Sequence, residues 1–179
     1  TFTDDTGKAW TAFGNAQIDT SLGDQRGLFD GSGDYITTPH HADLVLTGNF
    51  KISFTMRFKS KAGYQTIMSK GYSPQVADSW LVQTGNGDGR LAFYVLPASS
   101  GVLLICAESG LTINAGRDYL IEIERVGTTV TIKRDGATTA TGSSSDALAS
   151  NSALVIGGGS SSGVNNYWFN GWIKDFRIQ

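Results

Sequence analysis

The sequence has little cysteine, little charge and no run of basic residues, and each shortage excludes a class of protein. Its one cysteine, Cys106, cannot form a disulfide within the chain. Charged residues make up 17% of the 179 residues and hydrophobic residues 40%, a balance that favours a folded domain over disorder. The basic residues never form a run of four, and the formal net charge is −2. We therefore expect no nucleic-acid partner.

Long apolar stretches and long helices are also missing. No stretch approaches the length of a membrane-spanning helix, so we expect no membrane insertion. One short helical turn is predicted at residues 146–149. Cys106 lies in the apolar run 102–106, which predicts a small core residue rather than a reactive thiol. The chain opens at Thr1 without a methionine or a secretory signal, which predicts a processed chain or one part of a longer protein.

Hydrophobic residues instead recur with a period of two, which indicates β-strands. The clearest case is residues 50–59, where the apolar side chains of every second residue share one face. Further strands are predicted at residues 16–18, 27–29, 35–37, 64–69, 80–84, 90–96, 102–107, 119–126, 129–134, 137–141, 154–156 and 168–178, the last broken near Gly171. The pair Asp135-Gly136 predicts a two-residue hairpin turn. We expect an all-β fold, with residues 1–179 forming one two-sheet antiparallel sandwich.

The order of several short motifs resembles a known superfamily. The sequence runs from Phe29-Asp30-Gly31 through the Phe50–Phe54 and Ile67–Lys70 stretches to residues 169–178 near the end. This order resembles the laminin G-like branch of the concanavalin A-like lectin and glucanase superfamily. The opening residues 5–16 are similar to laminin G-like modules of bacteriophage tail and fibre proteins. The resemblance implies a jelly-roll sandwich with one concave and one convex sheet.

The resemblance also implies modules that bind glycans or proteins through edge loops or the concave face. We expect a non-catalytic domain that recognises a cell-surface glycan or receptor. A phage tail fibre is the expected setting, which places the domain at a virion or extracellular surface, within a homotrimer. Two alternatives stay open: a glycan-cleaving enzyme on the same fold, and a structural or oligomerisation domain.

Glycan cleavage generally requires two carboxylates that flank the glycosidic bond. Laminarinase-type relatives carry three acids on one strand in the pattern E-x-D-x-E. Here Glu122 and Glu124 share a strand face about 6–7 Å apart, but Val126 stands where the third acid would be. Two half-exposed glutamates are common on any strand, so we predict no catalytic residue and no enzyme activity.

Flat aromatic rings stack on the apolar faces of sugars, and amides bond sugar hydroxyls. Two groups of residues have this composition. The predicted ligand-binding residues of one group are Tyr72 and Trp80, with Tyr64 as a further member. Those of the other group are Asn165, Asn166, Tyr167 and Trp168. We expect Trp172 and Phe176 to lie in the core instead.

The resemblance further implies a structural calcium ion, because glucanase relatives bind one with an acid on the last strand. Asp175 matches that acid by position, and Gly31 and Asp30 are expected to complete the site, with Asp34 as a second candidate. Oxygen ligands of this kind suit a hard cation. The alternative is that Asp175 pairs with a neighbouring base such as Arg177. His40 and His41 are read as a pair in a surface loop.

Overall fold

The computed structural model describes residues 2, 5–71, 76–85, 87–98, 101–110, 112–158 and 167–179. These residues form two seven-stranded sheets in which every pairing is antiparallel. The strands are β1 (Thr11–Phe13), β2 (Gln17–Asp19), β3 (Arg26–Asp30), β4 (Tyr35–Thr38), β5 (Phe50–Phe58), β6 (Thr66–Lys70), β7 (Ser79–Thr84), β8 (Leu91–Leu96), β9 (Leu103–Ala107), β10 (Asp118–Val126), β11 (Thr129–Arg134), β12 (Ala137–Ser143), β13 (Leu154–Ile156) and β14 (Asn170–Ile178). The front sheet has the order β1-β4-β13-β6-β7-β8-β9, and the back sheet has the order β12-β11-β10-β5-β14-β3-β2.

The predicted two-sheet sandwich is confirmed, and so is each predicted strand to within a few residues. The Asp135-Gly136 hairpin is confirmed as well, because both residues have the positive φ that this turn requires. Strand β1 was missed because it is three exposed residues long. The helical turn predicted at 146–149 is absent, and the described helical residues are instead a 3-10 turn at Ala42–Leu44. No described helix is long or apolar enough to span a membrane.

Alternation along the strands places the core between the two sheets. Strand β5 alternates fully, with Phe50, Ile52, Phe54, Met56 and Phe58 each at most 5% exposed. The front sheet contributes a row of facing side chains from six adjacent strands. These residues are Ile36, Ile156, Met68, Val82, Phe93 and Cys106. The prediction that Cys106 is a core residue is confirmed.

A bulge in the last strand reverses its two faces. The register shifts between Lys174 and Arg177, and Asp175 has a φ of 54°. Ile173 faces the core before the bulge, whereas Phe176 packs against the core after it. Trp172 therefore lies on the outer face of the back sheet, and its predicted place in the core was wrong. The predicted strand break also lies at Asp175 rather than near Gly171.

Two buried cations hold the segment 144–153, which crosses from the back sheet to the front sheet. Arg125 donates to the carbonyl oxygens of Gly48 (2.7 Å) and Asp146 (2.5 Å). Lys70, which is completely buried, donates to the carbonyl oxygens of Ser150 and Ser152 and to Nδ1 of His40 at 3.1 Å. Each cation satisfies its hydrogen-bond donors with neutral oxygen or nitrogen acceptors, which is what a buried charge without a carboxylate requires.

Two buried titratable groups, Lys70 and Cys106, predict opposing effects of alkaline pH on the free energy of unfolding. Burial lowers the pKa of Lys70 from 10.5 to about 8. Between these values the unfolded chain holds more protons, so the free energy of unfolding should rise with pH by about 3 kcal/mol. Burial raises the pKa of Cys106 from 9.0 to about 11. Here the folded chain keeps a proton that the unfolded chain loses, so stability should fall by about 3 kcal/mol over that range.

Urea denaturation across pH 8 to 11 separates the two effects. The Cys106→Ala variant should lose the fall and show a net rise in the free energy of unfolding. The Lys70→Met variant should lose the rise and show only a fall. If the two variants give parallel pH profiles, the burial of these two groups does not control alkaline stability.

Candidate functional site: an aromatic surface on the front sheet

The predicted ligand-binding residues do not all lie at the surface. Trp80 is completely buried on the inner face of the front sheet, 6.3 Å from the ring of Phe93, so its ring cannot stack on a sugar. Tyr72, Asn165 and Asn166 lie outside the described residues. Tyr167 and Trp168 lie just before β14, separated from it by the buried Phe169, and both are at least partly exposed. The described candidates are thus reduced to these two residues and Tyr64.

Trp168 belongs to a stack of three aromatic rings on the outer face of the front sheet. Phe13 and Tyr35 are partners in the β1–β4 pair, with ring centroids 4.5 Å apart and planes 6° apart. Trp168 stacks on Tyr35 from the β13 side, at 5.8 Å and 15°. Tyr35 therefore has a neighbour on each face, while Phe13, on an edge strand and 40% exposed, keeps one ring face open. Stacked aromatic pairs contribute more stabilisation than the burial of their surface area alone provides.

Glycine places Trp168 in this stack. A Cβ atom on Gly158 would lie 2.5 Å from the six-membered ring of Trp168, so the indole rests directly on the glycine backbone. Any side chain at position 158 would lift the ring away from Tyr35. Gly158 thus has a local packing reason to be glycine.

Two further tyrosines extend the aromatic surface. The rings of Tyr64 and Tyr167 are 5.5 Å apart, and these residues are 44% and 37% exposed. The carbonyl oxygen of Tyr167 accepts a hydrogen bond of 2.7 Å from the Thr66 amide, which fixes this segment beside β6. Burial and the nearby Tyr64 raise the pKa of Tyr94. We define the aromatic surface as Phe13, Tyr35, Tyr64, Tyr167 and Trp168.

A buried carboxylate positions the strands that carry Phe13 and Tyr35. Asp34 is 1% exposed and accepts hydrogen bonds from the amides of Asn15 and, at 2.8 Å, Asp30. It thereby joins the β1–β2 turn to the β3–β4 turn. Gly14 in the first turn has a φ of 66°, and a Cβ atom there would lie 2.5 Å from the Asp34 carboxylate. This arrangement fixes the register in which Phe13 meets Tyr35.

The predicted calcium ligands do not come together. In the β3–β14 pair Asp30 lies opposite Asn170, so Asp175 is five residues further along the strand pair, about 16 Å away. Asp175 and the Asp30-Gly31 pair therefore cannot bind one ion. Asp175 is instead 3.7 Å from Lys174. Within the described ranges, no three histidine, cysteine, aspartate or glutamate side chains are grouped as a metal site would need.

The two glutamates considered for catalysis are each paired with a lysine. Lys51 contacts Glu122, and the Lys133 ammonium is 2.8 Å from Glu124. The hydrogen bond and charge of Lys133 lower the pKa of Glu124. A general acid for glycoside cleavage needs a raised pKa, so this environment does not favour that role.

Comparison with known proteins agrees with this architecture. Residues 30–179 match the family model of the concanavalin A-like lectin/glucanases superfamily. No curated protein matches the chain in sequence.

Solved structures with the same fold come from several kinds of protein. The binding domain of botulinum neurotoxin serotype G has a TM-score of 0.69 at 17% identity and covers 99% of this chain. Domain 4 of a Geobacillus stearothermophilus GH43 extracellular arabinanase, solved with arabinotriose, has a TM-score of 0.71 at 14% identity and covers 96%. Domains LG4-5 of the mouse laminin alpha1 chain have a TM-score of 0.66 at 16% identity and cover 92%.

The extent of these matches differs between the chains. The chain spans 44% of the neurotoxin structure, 41% of the laminin structure and 81% of the arabinanase domain. The likeness to each of them shows a shared fold, and the family model covers most of the sequence. This chain belongs to the concanavalin A-like lectin/glucanases superfamily.

Proposed function

We propose that this chain is a non-catalytic glycan-recognition domain that binds through the aromatic surface. The observation that carries the proposal is the exposed stack of Phe13, Tyr35 and Trp168, which leaves a ring face open to solvent. Exposed, fixed aromatic rings suit the apolar faces of sugar rings. The shared fold of an arabinanase domain solved with arabinotriose supports the same class of ligand.

A glycan array combined with an assay for reducing ends tests this function. We expect the chain to bind at least one cell-surface glycan and to release no reducing ends from it. If the chain binds no glycan on the array, the proposed recognition is wrong. If it releases reducing ends, the chain is a glycan-cleaving enzyme instead.

The variants Phe13→Ala and Trp168→Ala should each weaken binding at least about tenfold, or ~1.4 kcal/mol. The first removes the open ring face, and the second removes the ring that supports Tyr35 from behind. Leu120→Ala is the matched control, because Leu120 is 44% exposed on the outer face of the back sheet. Affinities from calorimetry with an array-selected glycan measure the effect, and equal affinities for all three variants would place the glycan elsewhere.

We further propose the wider setting of a phage tail fibre, in which the domain would contact a host receptor at the virion surface within a homotrimer. The apolar residues Val102, Leu103 and Leu104 are 40–53% exposed at one end of β9 and offer a contact between copies. Light scattering of the purified chain measures that assembly. A monomeric mass at all concentrations would contradict the proposed homotrimer.

A structural calcium ion remains a proposal, now restricted to Asp30 or Asp175 as separate centres. The separation of these two residues along the strand pair supports this restriction. Thermal melting with added calcium and with a chelator tests for calcium binding. Identical melting temperatures in the two conditions would contradict the proposed ion.

A further inference from the structure

A cavity of about 540 Å³ reaches between the two sheets. Both sheets contribute core side chains to its walls, with Phe29 and Ile173 from the back sheet and Ile36 and Ile156 from the front sheet. Each of these four residues is at most 7% exposed. Water against these side chains would find no hydrogen-bond partner in them, so the inner part of the cavity favours an apolar group. A volume of this size is within the range of small-molecule sites.

Aromatic side chains form the sides of this cavity. Trp10 and Phe176 meet edge to face, with ring centroids 6.5 Å apart, and both pack against the core while they stay partly exposed. Phe176 faces inward because of the bulge at Asp175. Phe2 lies beside Gly27, where a Cβ atom would be 3.1 Å from its ring. The sides therefore offer apolar contacts to an alkyl chain or a ring.

Charged side chains stand at the rim of the cavity, and most of them are already paired. The Lys8 side chain is 8% exposed, and its ammonium lies 2.6 Å from the Asp43 carboxylate. Arg26 and Lys174 both donate to the Asp24 carboxylate, at 3.0 and 2.6 Å. The remaining charged residues of the lining are exposed and carry both signs: Asp5, Asp175 and Arg177. A further charge buried here would meet groups that already have partners, whereas a hydroxyl can both donate to the carboxylates and accept from the cations.

We infer that this cavity binds an uncharged amphiphile, a molecule with an alkyl or ring body and a hydroxyl end. The body lies between the sheets against the apolar walls, and the hydroxyl faces the paired charges of the rim. Burial of the body supplies the binding energy, and the hydroxyl sets the orientation. An ionised end would lose its hydration without gaining a free counter-charge. The site is separate from the aromatic surface, because none of the five residues of that surface lines the cavity.

A series of octyl compounds tests the two ends of the ligand on the unaltered chain. The full chain, labelled with ¹⁵N at its four tryptophans, is titrated with 1-octanol, octanoate, octylammonium and 1,8-octanediol. Phe substitutions assign the Nε1–H signals of Trp10 and Trp168. We expect 1-octanol to shift the Trp10 signal, leave the Trp168 signal in place and raise the melting temperature. The two charged compounds and the diol, which has no apolar end, should each bind at least about tenfold more weakly.

One substitution narrows the cavity, and a matched substitution does not. Leu44 lines the cavity and is 4% exposed, so Leu44→Phe should weaken the binding of 1-octanol at least about fivefold. Leu120→Phe makes the same change on the outer face of the back sheet, where Leu120 is 44% exposed, and should leave binding unchanged.

Three results would overturn the site. They are a Trp10 signal that 1-octanol does not move, equal binding of 1-octanol and any of the other three compounds, and equal losses in the Leu44→Phe and Leu120→Phe variants. If Leu44→Phe fails to fold, the octyl series on the unaltered chain still decides between binding and its absence.

Discussion

Replacing Glu108 by alanine is expected to lower the free energy of unfolding by about 3–5 kcal/mol. The Glu108 carboxylate has no exposed side-chain surface and forms an ion pair with Arg134, which is 8% exposed. It also accepts hydrogen bonds from the Leu91 amide at 2.9 Å and from the Thr139 hydroxyl at 2.6 Å. These partners belong to β8, β11 and β12, so one side chain joins the front sheet to the back sheet. Its loss would leave the buried Arg134 guanidinium without a counter-charge.

Urea denaturation measures this effect, and two variants control it. Arg90→Ala breaks an exposed ion pair with Asp88 and should cost less than about 1 kcal/mol. The double variant Glu108→Ala/Arg134→Met should recover part of the lost stability, because it removes the uncompensated charge as well. A cost for Glu108→Ala no larger than that for Arg90→Ala would show that the ion pair does not join the sheets energetically.

Gly142→Ala is expected to destabilise the fold by about 3 kcal/mol, the upper end of the range for overpacking. Gly142 lies in β12, an edge strand of the back sheet, and β9 is an edge strand of the front sheet. A Cβ atom on Gly142 would fall on the carbonyl oxygen of Ile105 in β9. Backbone atoms cannot rotate aside as a flexible side chain can, so the two edges would have to separate.

A second glycine provides the control for this substitution. Gly101 has open space where a Cβ atom would lie, and its φ is not in the left-handed region. Gly101→Ala should therefore change the free energy of unfolding by no more than about 0.5 kcal/mol. Thermal or urea melting of both variants decides the matter, and similar losses would mean that the contact between β12 and β9 does not limit the packing.

Strand positions were predictable wherever one face of a strand is buried and the other is wet. Strand β5 is such a case, since its register is fixed by five apolar side chains that all need the core. Strand β7 is not, because Leu81 and Val82 are adjacent and both buried. Its alternation was ambiguous, and so the sequence could not reveal that Trp80 faces inward.

The candidate site was predictable only in part, because its stack forms between distant parts of the chain. Tyr167 and Trp168 were found from their polar, glycine-rich surroundings. Phe13 and Tyr35 were missed because their contact with Trp168 depends on strands β1, β4 and β13 being neighbours. Trp172 was misplaced since a bulge leaves no strong signal in composition. A signal was present for Tyr35, which alternates with the buried Ile36 and must face outward.

The way in which the segment 144–153 is fastened bears on how this protein can diverge. Arg125 and Lys70 reach it through carbonyl oxygens of Asp146, Ser150 and Ser152, atoms that every amino acid carries. Exposed side chains along this crossover can therefore be exchanged while its path is retained, whereas Leu148 is buried in the core. The two cations have no such freedom, because each alone supplies the donors. In homologous chains the exposed positions of this crossover should vary, while the two basic residues that hold it should be invariant.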